Sequence, residues 1–309
     1  MIVDKTQRRR VSPDGRGDNA WLTGILSKPG VTATFAELPA LWSYCDIVFE
    51  CKAPEGFRPG AWMARSVRGA IGRILKDWHE TGQRCDLPAT AFEVFYQNHL
   101  QLQREHVPKP IRFSVAATGR SITISMRIYG RAFAWLDVLV EAAIAGCHKG
   151  IGLAENSSTL RPWPVQDWWW CQARGLDLPK AASGYALAFT TPFKPGASHI
   201  YQGDLRSALR SLDKRTAPFA RWFGLACNAG DPQIRFSLDS LMIEPISDSP
   251  RFDGFIKRES MSREIAVVGI LPTFILRNVD DSLLPLLAVG QGWHLGGHNA
   301  YGFGQYRLY

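Results

Sequence analysis

Several features that would assign this chain to a common class are missing. No apolar run approaches the roughly 20 residues that a membrane-spanning helix needs, and the basic residues 8–10 are not followed by the apolar segment of a secretory signal. The six cysteines are separated by at least five intervening residues, so no CxxC pair offers a zinc knuckle or a redox motif. We therefore expect a soluble, cytoplasmic protein with no membrane partner, no metal and no cofactor.

Apolar, aromatic and basic residues are abundant instead. Of the 309 residues, 46% are apolar and 21% are charged, with 11 Trp and 16 Phe, which is the balance of a globular protein with room for two domains. Lys and Arg number 36 against 28 Asp and Glu, a net charge of +8, and both halves of the chain share the excess. This balance favours a polyanionic partner, although many basic proteins bind no nucleic acid.

From residue 44 onwards, strand and helix signals follow one another regularly. Period-two alternation predicts strands, and apolar residues at helical spacing predict helices. The predicted elements are a strand at Cys45–Cys51, a helix at 61–79, a hairpin of Ile111–Val115 and Ile122–Ile128, a helix at Ala132–Cys147 and a strand at Leu153–Pro164. This is the order of the ferredoxin-like βαββαβ unit.

The same order can be followed a second time. The predicted elements are a strand at Tyr185–Phe189, a helix at 204–222, strands at Ile234–Ile243 and Ile265–Leu276, a helix at 280–288 and a strand at Gln305–Tyr309. The sequence thus predicts an α+β fold with two tandem ferredoxin-like (RRM-like) domains at 44–172 and 184–309, joined by a linker at 173–183. Residues 1–43 are expected to form an N-terminal extension that is irregular or only loosely attached.

The first long helix has a basic face. Opposite its apolar stripe, a helical wheel places Arg65, Arg68, Gly72, Lys76 and His79. Solvation is the ordinary explanation of such a face. We interpret the face as lacking acidic partners four residues on, which counts against that explanation.

The second long helix, at 204–222, repeats the arrangement. Its basic side carries Arg206, Arg210, Lys214 and Arg221, and Asp213 is the one internal counter-charge expected nearby. A solvated face is again the alternative. We favour contact with an RNA stem, whose A-form shape is read through its backbone.

A glycine-rich segment, Gly292–Tyr306, is the most informative motif. Five of its fifteen residues are glycine. It follows a predicted helix, whereas a nucleotide-binding glycine loop follows a strand and opens a helix, so we expect no nucleotide cofactor. A glycine-rich loop at 292–304, between a helix and the closing strand of a ferredoxin-like unit, resembles the C-terminal signature of the CRISPR-associated RAMP proteins.

Two further motifs extend this resemblance. Ser66–Leu75 is similar to the Leu-Arg-Gly-Ala-hydrophobic-Gly-Arg-x-Leu helix of the repeat-RNA-processing endoribonucleases in that superfamily. His148–Gly152 stands where those enzymes have a glycine turn in the first domain. The arginine-rich helices favour the type IV-like branch.

The resemblance implies an endoribonuclease that cleaves precursor CRISPR RNA within each repeat without a metal and stays bound to the hairpin product, with other effector subunits as partners. A base deprotonates the ribose 2′-OH, the 2′-oxygen attacks the phosphate, and an acid protonates the 5′-oxygen, which leaves a 2′,3′-cyclic phosphate. His79, Arg65 and Arg68 are the implied catalytic residues. The implied RNA-binding residues are Arg73, Lys76, His148, Lys149, Arg206, Arg210, Lys214, Arg221, His294, Gly296, Gly297, His298, Gly302 and Gly304.

Three alternatives stay open. If His79 is not catalytic, Arg65 and Arg68 could still stabilise the transition state while a Tyr or Lys transfers the proton. The chain could also be a non-catalytic RAMP subunit that holds crRNA in an effector complex, whereas no motif supports a metabolic α+β enzyme. Trp168–Trp170 could stack on bases, but we favour packing between the two domains.

Overall fold

The structure is a computed structural model. It describes residues 20–84, 87–97, 101–102, 105–153, 158–193, 205–228, 230–246, 251–257, 264–296 and 302–309. Gly297 and His298, two of the predicted RNA-binding residues, lie outside the described residues. No helix in the described part is both long and apolar enough to cross a membrane.

The helices of the described part vary from one turn to five. The α-helices are α1 (Ala20–Ser27), α2 (Leu38–Leu41), α3 (Met63–Thr81), α4 (Ala91–Phe95), α5 (Leu136–Lys149), α6 (Leu205–Ala220), α7 (Pro232–Ser240) and α8 (Leu284–Trp293). Short 3-10 helices cover Gly130–Trp135, Arg221–Phe223 and Asp281–Leu283.

The strands fall into two larger sheets and several short pairs. They are β1 (Val31–Ala33), β2 (Ser43–Lys52), β3 (Gln101–Leu102), β4 (Glu105–His106), β5 (Ile111–Thr118), β6 (Ser121–Tyr129), β7 (Ile151–Gly152), β8 (Leu160–Arg161), β9 (Val165–Arg174), β10 (Gly184–Phe189), β11 (Leu225–Cys227), β12 (Met242–Pro245), β13 (Arg251–Lys257), β14 (Glu264–Ile270), β15 (Thr273–Arg277) and β16 (Tyr306–Leu308).

The first four-stranded sheet has the order β5-β6-β2-β9, and all its neighbours are antiparallel. This is the strand order that a βαββαβ chain produces. Alternation along β2 sets its two faces, because Cys45, Ile47 and Phe49 are buried while Asp46 and Val48 point to the opposite side. One face therefore belongs to the core, and the other is free to carry polar side chains.

The second sheet has the order β12-β15-β10-β16, again fully antiparallel. The predicted α+β class and ferredoxin-like strand order are therefore confirmed, while the division of the chain into domains at 173–183 stays a prediction. Two predicted strands are wrong in part. Most of Ile234–Ile243 is helix α7, which Asp231 caps by accepting from the N–H of Gln233, and Ile265–Leu276 is divided between β14 and β15.

The fourth strand of the first sheet is not where the sequence predicts it. Leu153–Pro164 contributes only the short β8, and the sheet is completed by β9, which contains the three tryptophans. Trp168, Trp169 and Trp170 are 40%, 43% and 50% exposed on this edge strand. The expected packing of these rings between two domains is therefore wrong.

The described part of the predicted N-terminal extension is also attached more firmly than expected. Strand β1 pairs in parallel with β11, with Val31 opposite Leu225 and Ala33 opposite Cys227. Leu22, Leu26, Leu38 and Trp42 are buried. Apolar burial holds residues 20–42 on the body of the protein, where local sequence signals predict irregular chain.

Aromatic side chains join the two sheets into one core. Trp42 and Tyr129 come from the N-terminal half, and Phe219, Phe223 and Trp293 come from the C-terminal half. Phe219 stacks on Trp293 with centroids 4.1 Å apart and meets Tyr129 edge to face at 5.1 Å. This packing fixes α8 and the segment after it against the first sheet.

Candidate active site

The end of the glycine-rich loop presses against the first sheet. Gly302 has φ +83°, and a Cβ there would lie 2.5 Å from the carbonyl oxygen of Phe113 and 2.9 Å from the Cβ of Ala64. Only glycine fits this contact and this backbone conformation. The loop is thereby seated on β5 and on the N-terminal part of α3.

A cleft of about 240 Å³ lies where the loop and α8 face the polar side of the first sheet. Its lining is Asp46, Val48, Arg112, Phe113, Ser114, Ser125, Arg127, Gln291, Gly292, His294 and Gln305. Strands β2, β5 and β6 supply most of these residues, and α8 with its following segment supplies the rest. Polar side chains of the first sheet and of the segment around the end of α8 thus converge on one cleft.

Arg127 and Asp46 form the ion pair of the cleft. Nε and Nη2 of Arg127 donate to the two carboxylate oxygens of Asp46 at 2.7 Å each, and the guanidinium lies 3.9 Å from the ring centroid of Tyr44. Burial disfavours the positive charge, but the bonds to Asp46 outweigh it and raise the pKa of Arg127. This cation is fully compensated within the protein.

Arg112 is a buried cation of a different kind. It donates to the carbonyl oxygens of Trp293 at 2.8 Å and Ile111 at 2.7 Å, and within the described residues it forms no ion pair with a carboxylate. Burial lowers the pKa of Arg112 to about 9, with Tyr129 acting in the opposite direction and Arg215 adding to the decrease. Keeping Arg112 charged in this position therefore costs free energy.

His294 lies beside these cations. Its residue surface is 6% exposed, and its backbone has φ +66° and ψ 157°, a region that is nearly reserved for glycine. Burial, then the charges of Arg112 and Arg127, lower the pKa of His294 to about 3. The imidazole is neutral at physiological pH.

A second group of cations lies near the seat of Gly302. The guanidinium of Arg68 stacks on Tyr96 at 4.2 Å from the ring centroid and is 5.8 Å from that of Phe113. Its Nη2 donates to the carbonyl oxygen of Phe95 at 3.2 Å. Burial, then repulsion by Arg68, lower the pKa of Lys109 to about 8.

His79 lies at the other end of α3. Eleven residues separate it from Arg68, which is about 16 Å along the helix axis. Its Nδ1 is 3.1 Å from Oγ1 of Thr90, and its ring lies 5.5 Å from that of Phe92. The structure therefore does not bring His79 together with Arg65 and Arg68 as one catalytic group.

The predicted basic face of α3 is partly covered and partly neutralised. Helix α4 and its end pack over Arg68 and His79, and Tyr96 occupies the space beside Gly72. Lys76 pairs with Glu80 at 3.6 Å. The expectation that this face lacks acidic partners four residues on is therefore wrong.

Other predicted RNA-binding cations have protein partners as well. Lys149 pairs with Asp77 of α3 at 3.0 Å. On α6, Arg206 donates to the carbonyl oxygen of Leu241, and Arg210 pairs with Asp239. Asp213, the expected counter-charge, is instead buried and accepts from the N–H of Gly230.

The remaining predicted residues are spread over the surface. Arg73, His148 and Lys214 are exposed, and Arg65 and Arg221 are half-buried. The carbonyl oxygen of Gly296 accepts from Nη1 of Arg215 at 3.2 Å, and a Cβ on Gly304 would collide with Leu295. The two glycines are thus structural parts of the loop.

Sequence reasoning missed the cations that face the cleft and the loop. They are Arg112 and Arg127, which line the cleft, and Arg215, which donates to Gly296 of the loop. A signal was present for two of them, since Arg112 and Arg127 interrupt otherwise apolar or small-residue strands at directly opposed positions of the hairpin. Within the described residues, no group of three or more His, Cys, Asp or Glu is placed to hold a metal ion.

Two solved structures are similar to this chain over most of its length. One is a Thermus thermophilus Cas6 (TTHB231) product complex, with 12% identity and a TM-score of 0.51, covering 86% of this chain and 99% of that chain. The other is a Cas6 (TTHA0078) product complex, with 13% identity and a TM-score of 0.53 and the same coverage. No protein-family model and no curated protein sequence matches the chain.

At these identities the likeness establishes the fold. The chain has a Cas6-like fold. The neighbours do not select the type IV-like branch.

Proposed function

We propose that this chain is an endoribonuclease that cleaves precursor CRISPR RNA within its repeats and then holds the hairpin product. The fold shared with two Cas6 product complexes supports the proposal. So does the glycine-rich loop, which lies between a helix and the closing strand of the second sheet.

The observation that carries the proposal is an excess of positive charge in and beside the cleft. Arg112 and Arg127 line the cleft, Arg215 lies close enough to act on Arg112, and Asp46 is the carboxylate among the lining residues. A buried charge without an opposite charge costs free energy. A phosphodiester backbone entering this region would supply the missing negative charge.

In the proposed reaction the RNA provides its own nucleophile. The ribose 2′-oxygen loses its proton to a base and bonds to phosphorus, the bond to the 5′-oxygen breaks, and that oxygen gains a proton. Arg65 and Arg68, at the end of α3 where Gly302 is seated, are the proposed ligands of the phosphate oxygens on which charge develops. This route requires no metal-bound water.

The test is incubation of CRISPR repeat RNA with the full chain in EDTA. We expect one cut per repeat, with a 2′,3′-cyclic phosphate and a 5′-hydroxyl as products. A repeat with a 2′-deoxy nucleotide immediately 5′ of the scissile phosphate should bind equally well and remain intact. Cleavage of this deoxy RNA at the full rate would contradict the mechanism.

A non-catalytic crRNA-binding subunit is the second candidate. The observation that favours it is the position of His79, about 16 Å along α3 from Arg68, which is too far for the two side chains to act on one phosphate. Tight binding of repeat RNA without any cut in the same experiment would support this candidate. Assignment to the type IV-like branch and contact with other effector subunits stay predictions.

A further inference from the structure

Lys109 has a backbone that is fixed on both sides. It lies between Pro108 and Pro110 at the start of β5, and a proline restricts both its own φ and the residue before it. Three hydrogen bonds reinforce this segment: Trp222 Nε1 donates to Pro108 O at 2.9 Å, Arg112 Nη1 to Lys109 O at 3.4 Å, and Tyr129 N to Pro110 O at 3.2 Å. An ordinary surface lysine has no such preorganisation.

The side chain of Lys109 is held beside Arg68, just after α4. It is half-buried, and its Nζ donates to the carbonyl oxygen of Gln97. Arg68 lies close enough to repel it and also approaches the ring of Phe113, whose carbonyl oxygen contacts Gly302. Because Lys109 and Arg68 donate to carbonyl oxygens only two residues apart, at Gln97 and Phe95, the two cations lie side by side just after α4.

The groups that face Lys109 determine its protonation. Among the described residues, the charge that acts on Lys109 is that of Arg68 on α3, and it is positive. Burial, then Arg68, lower the pKa of Lys109 from 10.5 to about 8. The amine still holds its proton at pH 7 but releases it far more readily than a solvated lysine does, and an approaching phosphodiester favours the protonated form.

We propose that Lys109 is the general acid of the reaction described above, so this inference rests on the proposed function. As the bond between phosphorus and the 5′-oxygen breaks, the ammonium group of Lys109 transfers one proton to that oxygen. The 5′-hydroxyl leaves, the amine becomes neutral, and it regains a proton from water before the next cycle. Arg68 lowers the proton affinity of Lys109 and stabilises the charge on the phosphate.

The first experiment measures single-turnover cleavage of a repeat RNA that the wild-type chain cuts. Lys109→Met should be slowed by at least about 100-fold, the usual loss when a general acid is removed, with RNA affinity changed less than about threefold. Lys109→Arg keeps the charge but holds its proton too tightly to act as an acid. It should therefore bind normally and also cleave slowly.

The second experiment removes the need for an acid. In a repeat RNA whose scissile 5′-oxygen is replaced by sulfur, the leaving thiolate is stable without a proton. Lys109→Met should cleave this RNA within about tenfold of the wild-type rate, in contrast to its large defect on native RNA. With wild-type protein, the rate on native RNA should fall as the pH rises through the pKa of Lys109 in the complex, and the thio substrate should not show this fall.

The outcomes separate the two proposals. No cleavage of any repeat RNA by the wild-type chain would overturn the proposed function. Cleavage by the wild type together with an equally active Lys109→Met would overturn only the role of Lys109. A Lys109→Met variant that is equally slow on native and 5′-thio RNA would also overturn it, since a phosphate ligand or a structural residue predicts that result.

Discussion

The positive charge of this protein behaves differently on its outside and in its cleft. On the outer surfaces of α3 and α6, cations meet carboxylates, as in the pairs Lys76 with Glu80 and Arg210 with Asp239. In and beside the cleft, Arg112 and Arg215 contact carbonyl oxygens and the ring of Trp293 instead. Net charge alone therefore does not indicate where an anion binds.

The energetic difference between these two kinds of cation explains why the cleft is the better candidate for an anion-binding site. An exposed ion pair contributes only about 0–1 kcal/mol to stability, and its two opposite charges largely cancel for an approaching ligand. Burial and, less strongly, the charge of neighbouring cations lower the pKa of Lys109 and Arg112, so an anion that enters here gains more than it would at an exposed pair. Four measurements would break or sharpen this comparison.

The largest effect is expected from the seat of the loop. Gly302→Ala forces a Cβ onto Phe113 and should move the loop away from Arg68, which we expect to slow repeat-RNA cleavage by at least about 100-fold, since a displacement of about 1 Å is enough for such a loss. Gly119→Ala is the matched control, because Gly119 has φ +60° but open space around its Cβ position. Single-turnover rates would contradict the comparison if the two variants were equally affected.

The next effect contrasts the two ends of α3. Arg68→Gln should slow cleavage by about 100-fold, the order expected for one electrostatic ligand of a transition state. His79→Ala should change the rate less than about threefold, because Thr90 and Phe92 occupy its surroundings, about 16 Å from Arg68. A large defect in His79→Ala with a normal Arg68→Gln would move the reaction to the other end of the helix.

A smaller effect concerns the neutral histidine in the cleft. The pKa of His294 is lower in the folded chain than in the unfolded one, so the unfolded state binds more protons and stability falls as the pH decreases from about 6.5 toward 3. Between pH 7 and pH 5 we expect His294→Asn to lose about 2 kcal/mol less stability than the wild type does. Denaturant unfolding at both pH values measures this.

His148→Asn is the control for that measurement. His148 is exposed on α5, so this variant controls for the exchange of a histidine for asparagine outside the cleft. Equal slopes for the wild type and His294→Asn would show that the imidazole is not held neutral by its burial.

The smallest effect tests the charges themselves. Arg112→Gln should reduce the dependence of log Kd for repeat RNA on log salt by about one, as expected for one lost phosphate contact. Lys76→Gln should leave it nearly unchanged, because Glu80 already neutralises that lysine. Titrations at several salt concentrations would reverse the comparison if Lys76 carried the larger change.

The regular parts of the fold could be predicted because one signal dominates each of them. Alternation in β2 and β6 and the apolar stripe of α3 predict elements that the structure has within a few residues. Helix α7 was missed although Asp231 and Pro232 form a recognisable start, because an apolar run was interpreted as a strand. Strand β1 has three residues and is stabilised only by its partner β11, so no local pattern reports it.

The candidate site was predictable only in part, for a related reason. The glycine-rich loop can be recognised from its composition, and Arg68 from the motif that contains it. Arg112 and Arg127 lie on the polar side of a strand pair, which looks like ordinary solvent-facing surface in sequence. Helix α8 and the loop, which are distant in sequence, cover this side of the sheet. The two arginines are therefore enclosed rather than exposed to solvent.

The pairing of β1 with β11 has a consequence for the order in which the chain folds. Val31 and Leu225 are neighbours in space but nearly two hundred positions apart in sequence. During synthesis, Val31 therefore emerges long before the strand that pairs with it exists. The first sheet can form while the ribosome is still working, but β1 finds its partner only after the chain has been made beyond residue 227, which makes this pairing a late event.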